Sequence, residues 1–197
     1  IKEELGELYD SLVYQCPTIL AEGKASEIKI IKEELGDNYE DILLNCPSIL
    51  ARGKADEIKL IKKELGDSYE KLIKVCPSIL ARGRANEIVA IKKELGDCYD
   101  KVINGSPSIL ARGKASEIHN MKNELGELYP SLIESCPSLL AHGKVSRILK
   151  IKELLKGDFD VVVLYSPSIL LEDEDEKILA TKQRALKKEK EKNKGIR

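Results

Sequence analysis

The chain has 197 residues, with a third of them charged, no Trp and one Phe. No run of this chain approaches the roughly 18 apolar residues of a helical membrane span, and no signal peptide is visible. The formal charge of −1 conceals an asymmetry: from Lys177 onward nine Lys/Arg stand against two Glu, whereas residues 1–176 carry 24 Lys/Arg against 32 Asp/Glu. An acidic array with a basic tail is not the usual footprint of a duplex-DNA binder.

A thirty-residue unit recurs six times without insertion or deletion. Pro17, Pro47, Pro77, Pro107, Pro137 and Pro167 share one column, and Leu20, Leu50, Leu80, Leu110, Leu140 and Leu170 another. A fixed period of this length marks a solenoid, in which stacked units bury faces that none could bury alone. The expected fold is therefore an all-α solenoid of six helix–turn–helix repeats over residues 1–180, followed by a basic tail over 181–197. The chain opens on Ile1–Gly6, the end of a repeat, as a piece of a longer array would.

The third copy shows the unit. Gly66 ends one helix and Asp67 or Ser68 caps the next. Tyr69, Leu72, Ile73 and Cys76 then follow at i, i+3, i+4, i+7, the stripe of an amphipathic helix with one buried face. Pro77 stops that helix, because the residue before proline is pushed out of the α region. Pro77–Leu80 reads as a tight turn, and Gly83 as the point of chain reversal. The second helix begins near position 86, in a column (Ser26, Asp56, Asn86, Ser116, Ser146) made of preferred N-caps. Ile88, Ile91 and Leu95 form its buried stripe. Helices of about ten residues are marginal alone, so stacking supplies their stability.

The sixth copy departs from the pattern: Leu171–Glu176 replaces the usual A-R-G-K-A-S, with Asp173 at the glycine. Polar terminal repeats act as caps. Thr181–Arg197 reads as a frayed basic helix or a disordered tail. Cys16, Cys46, Cys76 and Cys136 share a column. Layers roughly 8–10 Å apart exceed the ~7 Å that a disulfide spans, so these residues read as small buried packing groups of an intracellular, reducing compartment. Cys98 lies in a variable column and is expected to be exposed.

The pattern C-P-S-I-L-A-R-G-K-A-D-E-I-K-L-I-K-K-E-L-G, followed by a short amphipathic helix and another C-P-S-I-L, resembles the repeat of the mitochondrial transcription termination factors. The resemblance covers positions 1 to about 180. It implies a left-handed α-solenoid of helix–helix–3₁₀ units that binds nucleic acid through a basic groove and acts in transcription or other organellar gene expression. Near-identical copies with a few free columns are similar in organisation, though not in motif, to the transcription-activator-like effectors, which read one base per repeat.

Three sets of columns are candidates for function. The first is a cationic ladder at the turn: Lys24, Arg52, Lys54, Arg82, Arg84, Arg112, Lys114 and Lys144. Regularly spaced cations suit a phosphate backbone; they equally suit solvated loops that balance Glu27, Glu57, Glu87 and Glu117. The second is the pair of columns before the proline, which differ in every copy and contain Gln15, Asn45, Val75, Gly105 and Ser135. Gln and Asn match adenine, and Val, Gly or Ser touch or tolerate a thymine methyl; unconstrained surface variation gives the same pattern. The third pairs Lys29–Ile30, Lys59–Leu60, Val89–Ala90, His119–Asn120 and Leu149–Lys150, read as packing between repeats.

Enzymatic signals are absent. His119 and His142 lie in different columns without metal-ligand spacing, and no phosphate loop or nucleophile motif appears. Glu3–Glu4 and Glu33–Glu34 read as helix faces with Lys partners, and the Tyr9–Tyr129 column as helical core, because Phe159 replaces it. The expected partner is DNA or RNA, with a protein partner on the acidic surface as the alternative. No membrane, small-molecule substrate, cofactor or metal is expected.

Overall fold

A computed structural model of the chain describes residues 1–194. Among them there is no strand, and helices pack in sequence order as an all-α solenoid of repeats. Each unit is built from a long helix, a 3₁₀ turn, a middle helix and a short helix. In the third copy these are Ala55–Leu65, Gly66–Ser68, Tyr69–Val75 and Ser78–Arg82. The proline segment is therefore helical itself: Pro77 is the N-cap of the short helix, at φ −59° and ψ −24°. Proline suits a helix start because its missing N–H would have no intrahelical partner there.

Two compact units divide the chain. The first holds Ile1–Tyr99 with Pro107–Arg112, and the second Asp100–Ser106 with the chain from Gly113 onward. In the first, the long helices Ala25–Leu35, Ala55–Leu65 and Ala85–Leu95 pack in succession. The short helices Thr18–Glu22, Ile49–Arg52, Ser78–Arg82 and Ile109–Arg112 stack in the same order. In the second, Ala115–Leu125 packs on Val145–Leu155, which packs on the helix Asp175–Lys194. The expected boundary at 180 falls inside that helix, where Ile178 and Ala185 are both buried. Residues 195–197 of the expected tail lie outside the described residues.

The buried stripes follow the sequence. Tyr69, Leu72 and Ile73 are buried on the middle helix, and Ile88, Ile91 and Leu95 on the long one. Burial of each such side chain stabilises by about 1.5–3 kcal/mol, which offsets the weak intrinsic stability of helices of 7 and 11 residues. The cysteine column is only half buried, and each thiol approaches the hydroxyl two residues on, as Cys76 does Ser78 at 3.3 Å. Cys98 is exposed.

The glycines serve two purposes. Gly6, Gly36, Gly66, Gly96 and Gly126 end the long helices at φ between 51° and 56°, a region that favours glycine. In the sixth copy Lys156 takes that conformation, at φ 51°. Gly83 is different. Its φ of −61° and ψ of 159° are open to any residue, so reversal of the chain does not require it. Space does: a Cβ would lie 2.5 Å from the Ile79 carbonyl oxygen and 3.1 Å from that of Leu110 in the next repeat.

Candidate functional site

The helix starts correct the expected capping column. The long helices begin at Ala25, Ala55, Ala85, Ala115 and Val145, one residue before Ser26, Asp56, Asn86, Ser116 and Ser146. Their N-caps are Lys24, Lys54, Arg84, Lys114 and Lys144, in extended backbone and without any side-chain cap bond. The acceptor comes from the neighbouring repeat. The Ala55 N–H donates to Glu27 Oε2 at 2.8 Å, Ala85 to Glu57 Oε1 at 2.5 Å, and Val145 to Glu117 Oε1 at 2.6 Å. A carboxylate there satisfies an orphan N–H and complements the helix dipole.

The opposite end of the helix is served in return. Lys32 Nζ donates to the Glu4 carbonyl at 2.6 Å, Lys62 to that of Glu34 at 3.3 Å, and Lys152 to that of Glu124 at 2.6 Å. Each lysine also lies over the ring of its own repeat's aromatic residue, 4.8 Å from the Tyr39 centroid for Lys32 and 5.4 Å from that of Phe159 for Lys152. Successive repeats are thus joined by glutamate at one end and lysine at the other.

This arrangement settles what the turn cations do not do. Glu27, Glu57 and Glu117 each accept a backbone N–H, and among the described residues none lies within ion-pair distance of a turn cation. Among the described residues, Lys24, Arg52, Lys54, Arg82, Arg84, Arg112, Lys114 and Lys144 are all exposed, and none lies within ion-pair distance of a carboxylate. Arg84 donates to its neighbour's carbonyl, Gly83 O, at 3.0 Å. Six of the eight belong to the first unit, where the stacked short helices present Arg52, Arg82 and Arg112 at the same point of successive layers.

Both ends of the long helix carry mixed charge, with Asp56 and Glu57 in its first turn and Lys62 and Lys63 in its last. The turn cations flank the start of the long helix. The exposed acids Glu7, Asp37, Asp67 and Asp97, with Asp10, Glu40 and Glu70, flank the 3₁₀ turn at its far end and the first turn of the middle helix. An 11-residue helix separates the two ends by about 16 Å, beyond the roughly 8 Å over which exposed charges act on one another at physiological salt. The acids of the far end therefore do not neutralise the turn cations.

The pre-proline columns lie elsewhere. Gln15, Asn45, Val75, Gly105 and Ser135 are exposed in the last turn of the middle helices. Three of the polar groups bond within their own helix: Gln15 Nε2 to Ser11 Oγ at 3.3 Å, Asn45 Nδ2 to Asp41 O at 2.8 Å, and Ser135 Oγ to Ser131 O at 2.8 Å. Asn45 lines an open cleft with Asn38, Asp41, Ile42, Lys74 and Pro77, and with none of the eight turn cations. The third set of columns departs from the packing expected of it, since Leu60, Val89 and Leu149 are each about half exposed. Among the described residues no cluster of His, Cys, Asp and Glu fits a metal, and no helix is long and apolar enough to cross a membrane.

Fold and site together define an all-α repeat protein with a row of exposed turn cations in register. No protein-family model, curated protein or solved structure matches the chain.

Proposed function

We propose that the chain binds nucleic acid along the cationic edge, through Lys24, Arg52, Lys54, Arg82, Arg84 and Arg112 of the first unit and Lys114 and Lys144 of the second. The observation that carries this reading is that these side chains are exposed, recur in register, and among the described residues lie within ion-pair distance of no carboxylate. The resemblance of the repeat to that of the mitochondrial transcription termination factors supports it, and with it a role in transcription or gene-expression control. The cations contact phosphate, Arg as a fork and Lys as a point charge, so the edge supplies affinity and register. With layers about 8–10 Å apart, one repeat spans about three duplex steps of 3.4 Å. A one-unit-per-repeat register therefore fits a spread single strand better than a duplex.

The test is binding of fluorescein-labelled single-stranded DNA, duplex DNA and RNA across a salt series. Affinity falls steeply with salt, and Arg52→Ala/Arg82→Ala/Arg112→Ala lowers the log–log slope by about 2 on a single strand or about 3 on a duplex. An unchanged slope, or no binding by the parent protein, contradicts the reading and leaves a protein partner. Truncation after Leu186, which keeps the buried part of the last helix, controls for polyanion binding by the basic tail.

A further inference from the structure

The pre-proline columns acquire a meaning that their spacing alone did not show. Asn45 does not face its neighbour Leu44; it faces Lys74 and Pro77 of the following repeat, across the cleft between Tyr39–Asn45 and Tyr69–Val75. The register recurs in the second unit. There Lys101, at the position of Asp41, pairs with Glu134, at the position of Lys74. A Cβ on Gly105, at the position of Asn45, would lie 3.2 Å from Pro137, at the position of Pro77.

The two sites carry the same pair of charged positions with opposite sign and opposite outcome. In the second unit the pair is closed: the Lys101 ammonium bonds Glu134 and holds its carboxyl below the usual range. In the first, Asp41 and Lys74 both line the cleft and, among the described residues, form no ion pair with each other. Beside them Asn45 keeps its Oδ1 acceptor, because only its Nδ2 is bonded to the helix. The Asn38 side-chain amide also lines the cleft, and Ile42 and Pro77 supply its apolar contact. Glu40 on the first helix, Glu70 and Lys71 on the second, and Asp37 in the preceding 3₁₀ turn are exposed around it.

We propose that this cleft is a docking site for an extended polypeptide segment carrying a cationic side chain. Asp41 receives the cation, Lys74 and the Asn38 amide donate to backbone carbonyls, and Asn45 Oδ1 accepts a backbone N–H; side-chain amides and a lysine together match both faces of a peptide bond. Charge complementarity fixes the occupant's sign, because surrounding acids repel a phosphate backbone and attract a basic peptide. The site is separate from the cationic edge and does not rest on nucleic-acid binding there.

The experiment selects phage-displayed random dodecapeptides on the full 197-residue protein, in the presence of excess oligo-dT. The variant is Asp41→Lys/Lys74→Glu, which installs the closed pair already present at Lys101–Glu134; its fold is checked by circular dichroism. Selection on the parent protein enriches Lys- or Arg-containing peptides. The best of them, synthesised with fluorescein, loses at least about tenfold in affinity for the variant and binds Arg52→Ala/Arg82→Ala/Arg112→Ala as it binds the parent. Failure to enrich any peptide, or equal binding to parent and swapped proteins, overturns the proposal. Oligo-dT binding that disappears with the swap overturns it in favour of nucleic acid at this cleft.

Discussion

The interior junctions between repeats and the last junction solve one problem in opposite ways. At Glu27–Ala55, Glu57–Ala85 and Glu117–Val145, a carboxylate from one repeat caps the long helix of the next. At the last junction Arg147 stands where the glutamate would be, and it grips Asp173 through Nε at 2.6 Å and Nη2 at 2.9 Å. There the chain caps itself: Glu172 Oε1 accepts the N–H groups of Asp173 and Glu174, at 3.1 and 3.2 Å. Glu172 and Glu174 occupy the same repeat positions as Arg52 and Lys54. In the terminal repeat those positions are acidic and bonded to the fold. In the interior the cap arrives from next door, and Arg52, Lys54, Arg82, Arg84, Arg112 and Lys114 are left exposed without a carboxylate partner, although Glu22 and His142 stand in the same column as Arg52. The difference is what the proposed role of the interior turns rests on.

Substitutions at three kinds of position test this contrast and the repeat core through stability, measured by urea unfolding. The largest effect is expected at the glycine that the last junction lacks. A Cβ on Gly143 would lie 2.5 Å from Leu139 O and 3.1 Å from Met121 Sδ, so Gly143→Ala costs about 1–3 kcal/mol. Asp173→Ala, at the equivalent position, costs under about 1 kcal/mol, because Asp173 is 76 % exposed and its pair with Arg147 is correspondingly screened. Equal costs would erase the distinction between the junctions.

Next comes the cap. Glu117→Ala removes the acceptor of the Val145 N–H and costs about 1 kcal/mol; Glu117→Gln, which keeps an oxygen there, recovers part of it. A loss that Gln does not relieve at all would mean the contact acts through packing.

The smallest effect lies in the aromatic column, between Tyr69 and Phe159. Both are buried, and the Tyr69 hydroxyl has no hydrogen-bond partner. Burial, with Glu34 and Glu70 nearby, pushes its phenol up to about 12 from 10. Because the folded state holds this proton more tightly, the associated stability is complete below pH 10 and is lost as pH rises through 12. Tyr69→Phe is expected to change stability by less than about 1 kcal/mol at pH 7 and to flatten the decline between pH 10 and 12. An unaltered alkaline decline would place the titrating group elsewhere.

Much of the fold is legible in the chain because it depends on local periodicity. Tyr69, Leu72 and Ile73, or Ile88, Ile91 and Leu95, bury as their spacing predicts. What sequence reasoning misses depends on contacts one repeat away. Ser26 and Asp56 look like caps because the true acceptors stand 28 residues before the N–H groups they serve. Gly83 looks like a reversal because the Leu110 carbonyl that crowds it belongs to the next layer. The site was half visible. The turn cations stand out as a column, but their freedom follows only once Glu27, Glu57 and Glu117 are seen to be occupied. The cleft that Asn45 shares with Lys74 crosses a repeat boundary and leaves no mark in either copy alone.

The most direct test of the central claim reverses each edge of the first unit separately and measures oligonucleotide binding against salt. Arg52→Glu/Arg82→Glu/Arg112→Glu is predicted to abolish binding while unfolding stays within about 0.5 kcal/mol of the parent, as befits exposed residues without partners. Asp37→Lys/Asp67→Lys/Asp97→Lys, at the far end of the long helices, is predicted to leave the salt slope unchanged. Equal effects of the two reversals on binding, or a large loss of stability from the first, would contradict the account.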